Sequence, residues 1–187
     1  MIFQSETELA TILSSIFPDE DKKEAFLNHY ANVYYGKNKS FDFWYGTGNN
    51  GKTILFKLFK NAFHEETAHL PSSMLISDII REKAIYGLNA KIFCIAELNT
   101  DERINPESLS KLLDEKTSGT AVIIVNSLEH VSNIEGVNIF NFDSKFVTNP
   151  SNVNEFLADK SLLEKIENDR YSNDLRKMLK IKYAANE

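Results

Sequence analysis

Cysteine occurs once in this chain, at Cys94, so no internal disulfide framework is possible and a reducing compartment is the expected setting. That thiol sits in the apolar run Ile92-Phe93-Cys94-Ile95-Ala96, where it reads as an inert buried side chain rather than a reactive one. The four histidines (His29, His64, His69 and His130) are scattered without ligand spacing, which argues against a zinc site. No run approaches the roughly 18 apolar residues of a membrane helix. The opening MIFQSETELA lacks the cationic flank and apolar stretch of a signal peptide. The expectation is a soluble, intracellular protein with no membrane partner. Arginine is scarce, limited to Arg81, Arg103, Arg170 and Arg176. The net charge of −6 argues against a surface that coats nucleic acid throughout, while leaving room for a few basic loops.

What is present is an ordinary globular composition. With 187 residues, 42% of them hydrophobic, the chain can bury a core without disulfides or metals. Residues 5–35 read as two helices broken at Pro18: Leu9, Ile12, Leu13, Ile16 and Phe17 mark one face, and Phe26, Leu27, Tyr30, Val33 and Tyr34 another. Gly36-Lys37-Asn38-Lys39-Ser40 is a turn, and Phe41–Tyr45 a short aromatic strand. Helical spacing resumes after Lys52 (Ile54, Leu55, Leu58, Phe59, Phe63), and 72–88 predicts another helix. Ile92–Ala96 and Ala121–Val125 are continuously apolar, as strands covered on both faces are. A further short strand is expected at Val137–Phe142, and helix from Asn152 onward. The alternation predicts an α/β fold with a mainly parallel sheet. Its expected parts are a helical N-terminal segment at 1–40, a core at 41–150 and a helical C-terminal segment at 151–187.

The strongest signal is Gly46-Thr47-Gly48-Asn49-Asn50-Gly51-Lys52-Thr53, which satisfies G-x-x-x-x-G-K-[ST] between a strand and a helix. Average residue frequencies give roughly one such match in a couple of hundred chains of this length. Each part has a chemical reason. The glycines permit backbone angles a side chain would forbid, and let amide N–H groups approach phosphate oxygens. The following helix turns its positive end toward the same anion. Lys52 would reach the β- and γ-phosphates of ATP, and the Thr53 hydroxyl would ligate Mg2+. In open parallel sheets ligands lie beyond the carboxyl ends of the strands. Glu97 follows the Ile92–Ala96 run and Asn126 the Ala121–Val125 run. Glu97 is thus the candidate to hold the magnesium shell or polarise an attacking water, and Asn126 to orient that water. Lys52, Glu97 and Asn126 are the catalytic candidates, residues 46–53 the nucleotide-binding ones, and Thr53 and Glu97 the metal-binding ones.

These residues resemble the superfamily 3 helicases of the AAA+ class, nearest to the ATPase half of the primase-helicases of poxviruses and other large DNA viruses. The likeness lies in Phe41–Tyr45 running into Gly46–Thr53 with Asn50 before the last glycine, in Phe93–Leu98 with its one acid, and in Ile123-Ile124-Val125-Asn126-Ser127. Phe146-Val147-Thr148-Asn149-Pro150 and the tail are similar to the segment after that core. The resemblance implies a P-loop, three-layer domain with a five-stranded sheet. It also implies an ATPase motor for viral or mobile-element DNA replication, with single-stranded DNA and either a homo-oligomeric ring, such as a hexamer, or other replication proteins as partners. If viral, it would work in host cytoplasm or nucleus.

Two departures stand against this. Ile104–Lys116 leads through Thr117–Thr120 straight into the Ala121–Val125 run, leaving no room for the family's basic pore hairpin. Between Glu129 and Phe146 the basic groups are His130 and Lys145, with no arginine to reach a neighbouring subunit's ATP. Arg103 and Arg170 are the substitutes to consider. The alternative reading is a nucleotide-binding accessory subunit without helicase activity. A small-molecule kinase would want a lid of several arginines, which this chain does not supply. The run Phe41–Tyr45 could stack bases, but core packing is the simpler reading. Likewise Lys177, Lys180 and Lys182 read as a solvated helix face before they read as phosphate contacts.

Overall fold

Strand β1, Phe41–Tyr45, sits between two parallel neighbours, and its sequence explains why. Aromatic residues favour a pleated, covered surface, and Phe43 and Trp44 are both almost wholly buried. Core packing therefore accounts for this aromatic run, which offers no exposed platform for bases. The computed structural model describes residues 4–36, 40–76, 90–95, 98, 104–105, 107–108, 119–127, 129 and 136–186. Its two compact units interleave along the chain. A helical unit takes Met1–Gly36, Gly48–His64 and Phe142–Glu187, and a sheet unit takes Lys37–Thr47 and Glu65–Asn141.

The sheet unit is α/β with parallel strands. Around β1 lie β2 (Thr67–Leu70), β3 (Ile92–Ile95), β4 (Thr120–Val125) and β5 (Val137–Asn141), in the order β2-β3-β4-β1-β5. All four pairings are parallel; Phe41 aligns with Ala121 of β4 and with Val137 of β5. Continuous burial of Thr120–Ile123 and Val125 fits the central place of β4. At the rim, β5 leaves Ile139 exposed. Phe43, Ala121, Ile123 and Val125 pack with Leu70, Leu98 and Ile104, and with Met74 and Leu75 of the short helix α4 (Ser73–Ile76). Within the strand, the buried Asp42 carboxylate accepts from Ser40 Oγ at 2.8 Å and Asn138 Nδ2 at 2.9 Å, which answers the cost of burying it.

The helical unit contains α1 (Gln4–Ile16), α2 (Glu20–Tyr35), α3 (Lys52–Ala62), α5 (Leu162–Glu167) and α6 (Ser172–Ala185); the short helix of the sheet unit is α4 in chain order. The expected break at Pro18 is built as a cap: Asp19 Oδ1 accepts from the N–H groups of Asp21 and Lys22 at 3.0 and 3.2 Å. Phe26, Tyr30 and Tyr34 recur every fourth residue, and their rings meet Phe59 and Phe63 of the α3 segment. Such ring pairs add about 0.5–1.5 kcal/mol each beyond burial. Helix α6 packs on α1, α2 and α3. Of its basic residues, Lys177 pairs with Glu6 and Lys182 with Glu24.

Strand β2 and the tail after Asn152 depart from the sequence expectation. Strand β2 was not foreseen, because Thr67-Ala68-His69-Leu70 has no alternation and buries only Leu70. The tail expected to be helical from Asn152 first forms β7 (Glu155–Leu157), paired in parallel with β6 (Lys145–Val147). The cause is local. Asn152 Oδ1 accepts from Asn154 N at 3.1 Å, and Glu155 accepts from Ser151 N at 2.7 Å, so side chains hold a turn where a helix would start. Of the helix expected at 72–88, α4 covers Ser73–Ile76, and 77–89 lie outside the described residues, as do 109–118, where the hairpin departure falls.

Candidate functional site

The sheet unit brings two of the expected residues to one edge. Tyr45 aligns with Val125, and Gly46 N donates to Val125 O at 3.3 Å, so Gly46 and Asn126 leave β1 and β4 side by side at their carboxyl ends. Asn126 is exposed and Gly46 is buried. Leu98 N donates to Ile124 O at 3.4 Å, which ties the chain after β3 to β4 near the same edge. Glu97 itself lies outside the described residues, as do Arg103 and His130, and so does the side chain of Cys94. Thr47, exposed, completes the sheet unit's share of the loop.

Gly48 to Thr53 belong to the helical unit. Gly48 (φ 100°), Asn49 (φ 50°) and Gly51 (φ 88°) all have positive φ. Where left-handed residues alternate with right-handed ones, successive N–H groups turn toward a common concave side, where an anion can be held. The two glycines are there for different reasons. Among the described residues nothing lies within 4 Å of where a Cβ on Gly48 would sit, so within them only its torsion demands glycine. A Cβ on Gly51 would stand 2.7 Å from Ile16 Cγ1 and 3.2 Å from the Phe146 ring. Gly51 then caps α3, whose first residues are Lys52 and Thr53. The first-turn N–H groups of any helix lack partners within it and carry its positive end. Lys52 is only 4% exposed, while Thr53 is exposed.

The two asparagines of the loop play parts that the motif did not announce. Asn49 O accepts from Phe146 N at 2.7 Å, and the buried Asn50 donates through Nδ2 to Phe142 O at 3.4 Å. Residues 142–146 are fastened in turn. Lys22 and Asp143 form an ion pair at 2.7 Å, and this hydrogen bond, with the carboxylate's charge, raises the Lys22 pKa. Ser144 Oγ donates to Ile16 O at 3.0 Å. None of Phe142, Asp143 and Ser144 carries a motif, so sequence reading missed them. Arg170, considered as a substitute finger, is held by Glu8 at 3.0 Å.

Comparison with known proteins bears on what such a loop serves. The chain is 33% identical over 117 residues to "Putative helicase 022R" of Frog virus 3 (isolate Goorha), across 57% of this chain and 12% of that protein. It is 36% identical over 76 residues to "Putative helicase 121R" of Invertebrate iridescent virus 3, across 40% of this chain and 8% of that protein. The likeness is to viral proteins that carry helicase names. The chain therefore spans about a tenth of the length of these relatives. No family model matches. In fold, the chain superposes on the apo structure of the NrS-1 C-terminal region with a TM-score of 0.68 at 17% identity, covering 96% of this chain and 46% of that one. A second apo structure of that region gives 0.66 at 16% identity, over 99% and 51%. The chain thus shares the fold of that region and is similar in sequence to these viral relatives. No helix among the described residues is long and apolar enough to cross a membrane.

Proposed function

We propose that Gly46–Thr53 cradles the triphosphate of Mg-ATP and that the chain is an ATPase motor domain of superfamily 3 helicase type, AAA+ in class, acting in viral or mobile-element DNA replication. The observation that carries the reading is the positive φ angles at Gly48, Asn49 and Gly51, interrupted at Asn50, just before α3. That geometry suits an anion, and the open space where a Gly48 side chain would be leaves room for one. The viral relatives with helicase names support a helicase-related role. In this reading the loop amides bind phosphate oxygens, Lys52 neutralises charge developing on the β- and γ-phosphates, and Thr53 with Glu97 holds Mg2+. Glu97 polarises the attacking water and Asn126 orients it. Single-stranded DNA and further copies of the chain in a ring are the partners that go with this role.

Isothermal calorimetry tests it: wild-type protein should bind Mg-ATP, and Lys52→Ala should lose that binding. Glu97→Gln should keep binding and lose turnover. Absence of heat from folded wild-type protein, in any oligomeric state, would sink the reading. A second reading is favoured by the pairing of Arg170 with Glu8 and by the lack of any arginine between Glu129 and Phe146. Arginine fingers are worth about three to five powers of ten in rate. An accessory subunit that binds ATP without turning it over would show tight binding, a monomeric mass and no phosphate release with or without single-stranded DNA.

A further inference from the structure

We propose that Phe142–Phe146 is a strap that fixes the shape of the Asn49–Gly51 turn, and that Asn50 is a positioning residue acting through the strap rather than a ligand of the phosphates. Its consequence for affinity rests on the nucleotide reading above. The strap grips the turn at two points: Phe146 N–H donates to Asn49 O at 2.7 Å, and Asn50 Nδ2 donates to Phe142 O at 3.4 Å. The Asn50 side chain is buried at 3% exposure, so its amide is spent on the protein.

The strap's far side is anchored independently. Ser144, 2% exposed, donates through Oγ to Ile16 O at 3.0 Å, and Asp143 pairs with Lys22 at 2.7 Å. The Phe142 ring lies 5.0 Å from that of Phe17. The end of α1 and the strap also form the floor beneath the turn, because Ile16 and the Phe146 ring occupy the space a Gly51 side chain would need. A left-handed turn carries a cost at a non-glycine residue, smallest for asparagine, and these contacts hold Asn49 in it. Loosening the strap should let the turn relax and scatter the amides that face the anion. The loss should then be shared by every ligand with the same polyphosphate, whatever its base.

The experiment uses the full chain with Asn50→Ala, Ser144→Ala and the double variant; Asp143→Asn replaces Ser144→Ala if the latter does not fold. Hydrogen exchange at the Phe146 amide reports the strap. Calorimetry with Mg-ATP and with inorganic tripolyphosphate reports the cradle. The expected result is faster Phe146 exchange in each variant, with affinity for both ligands lowered together, about tenfold for Asn50→Ala. The double variant should lose less than the product of the singles, because both act through one element. Wild-type exchange and wild-type affinities in the variants overturn the proposal. So does a loss of affinity confined to Asn50→Ala with unchanged exchange, which would make Asn50 a direct ligand. If the wild type binds neither ligand, the nucleotide reading fails on its own, and Phe146 exchange alone then decides whether the strap holds the turn.

Discussion

At Gly48 and Gly51 one residue type answers two different demands, and substitution separates them. Alanine at Gly48 meets open space and suffers only from its positive φ, a cost of about 1–2 kcal/mol. Alanine at Gly51 adds a collision with Ile16 and Phe146 to the same torsional cost, for a total of about 3 kcal/mol. Urea unfolding of the two variants should show this order, and equal midpoints would refute the packing argument. The bend of this loop was legible in the sequence, since Gly48 and Gly51 mark by residue type the positions where φ is positive. The roles of Asn49 and Asn50 were not. One works through its backbone carbonyl and the other binds a backbone carbonyl of Phe142, and main-chain partners leave no mark in a sequence.

Among the elements, α1, α2, β1, α3, β4 and β5 follow the periodicities that announced them, because each has a continuous or regularly spaced apolar face. The two-stranded β6–β7 pair was hidden: each strand has only three residues, too few to show a period. The start of α6 carries its own titration. The Tyr171 hydroxyl is pushed up to about 12, chiefly by burial and then by its hydrogen bond to Glu8. A raised pKa holds the proton in the folded state, so the contribution is complete below pH about 10, where an unfolded tyrosine begins to ionise. It is lost as pH rises through about 12. Tyr171→Phe keeps the ring and removes this titration. Its stability between pH about 10 and 12 should therefore fall less steeply than the wild type's in alkaline urea titrations. Parallel slopes would contradict the assignment.

Across the whole molecule, the chain passes back and forth between its two units: Gly48–His64 and Phe142–Glu187 join the helices, while Lys37–Thr47 and Glu65–Asn141 join the sheet. No single cut in the sequence separates them, and α2 meets α6 only after more than a hundred intervening residues. Composition could not reveal this, because it reports segments in order and not which distant segments share a core. The interleaving predicts one cooperative unfolding event rather than two. The chain's single tryptophan, Trp44, is buried in β1, whereas the helices dominate the far-ultraviolet dichroism. Emission excited at the red edge of aromatic absorption thus watches the sheet while dichroism watches the helices. The two signals should trace the same denaturant curve, and a gap between their midpoints would mean the units melt apart. Nature has in effect placed one lamp in one half of the protein, and no engineered label is needed to learn whether the halves live and die together.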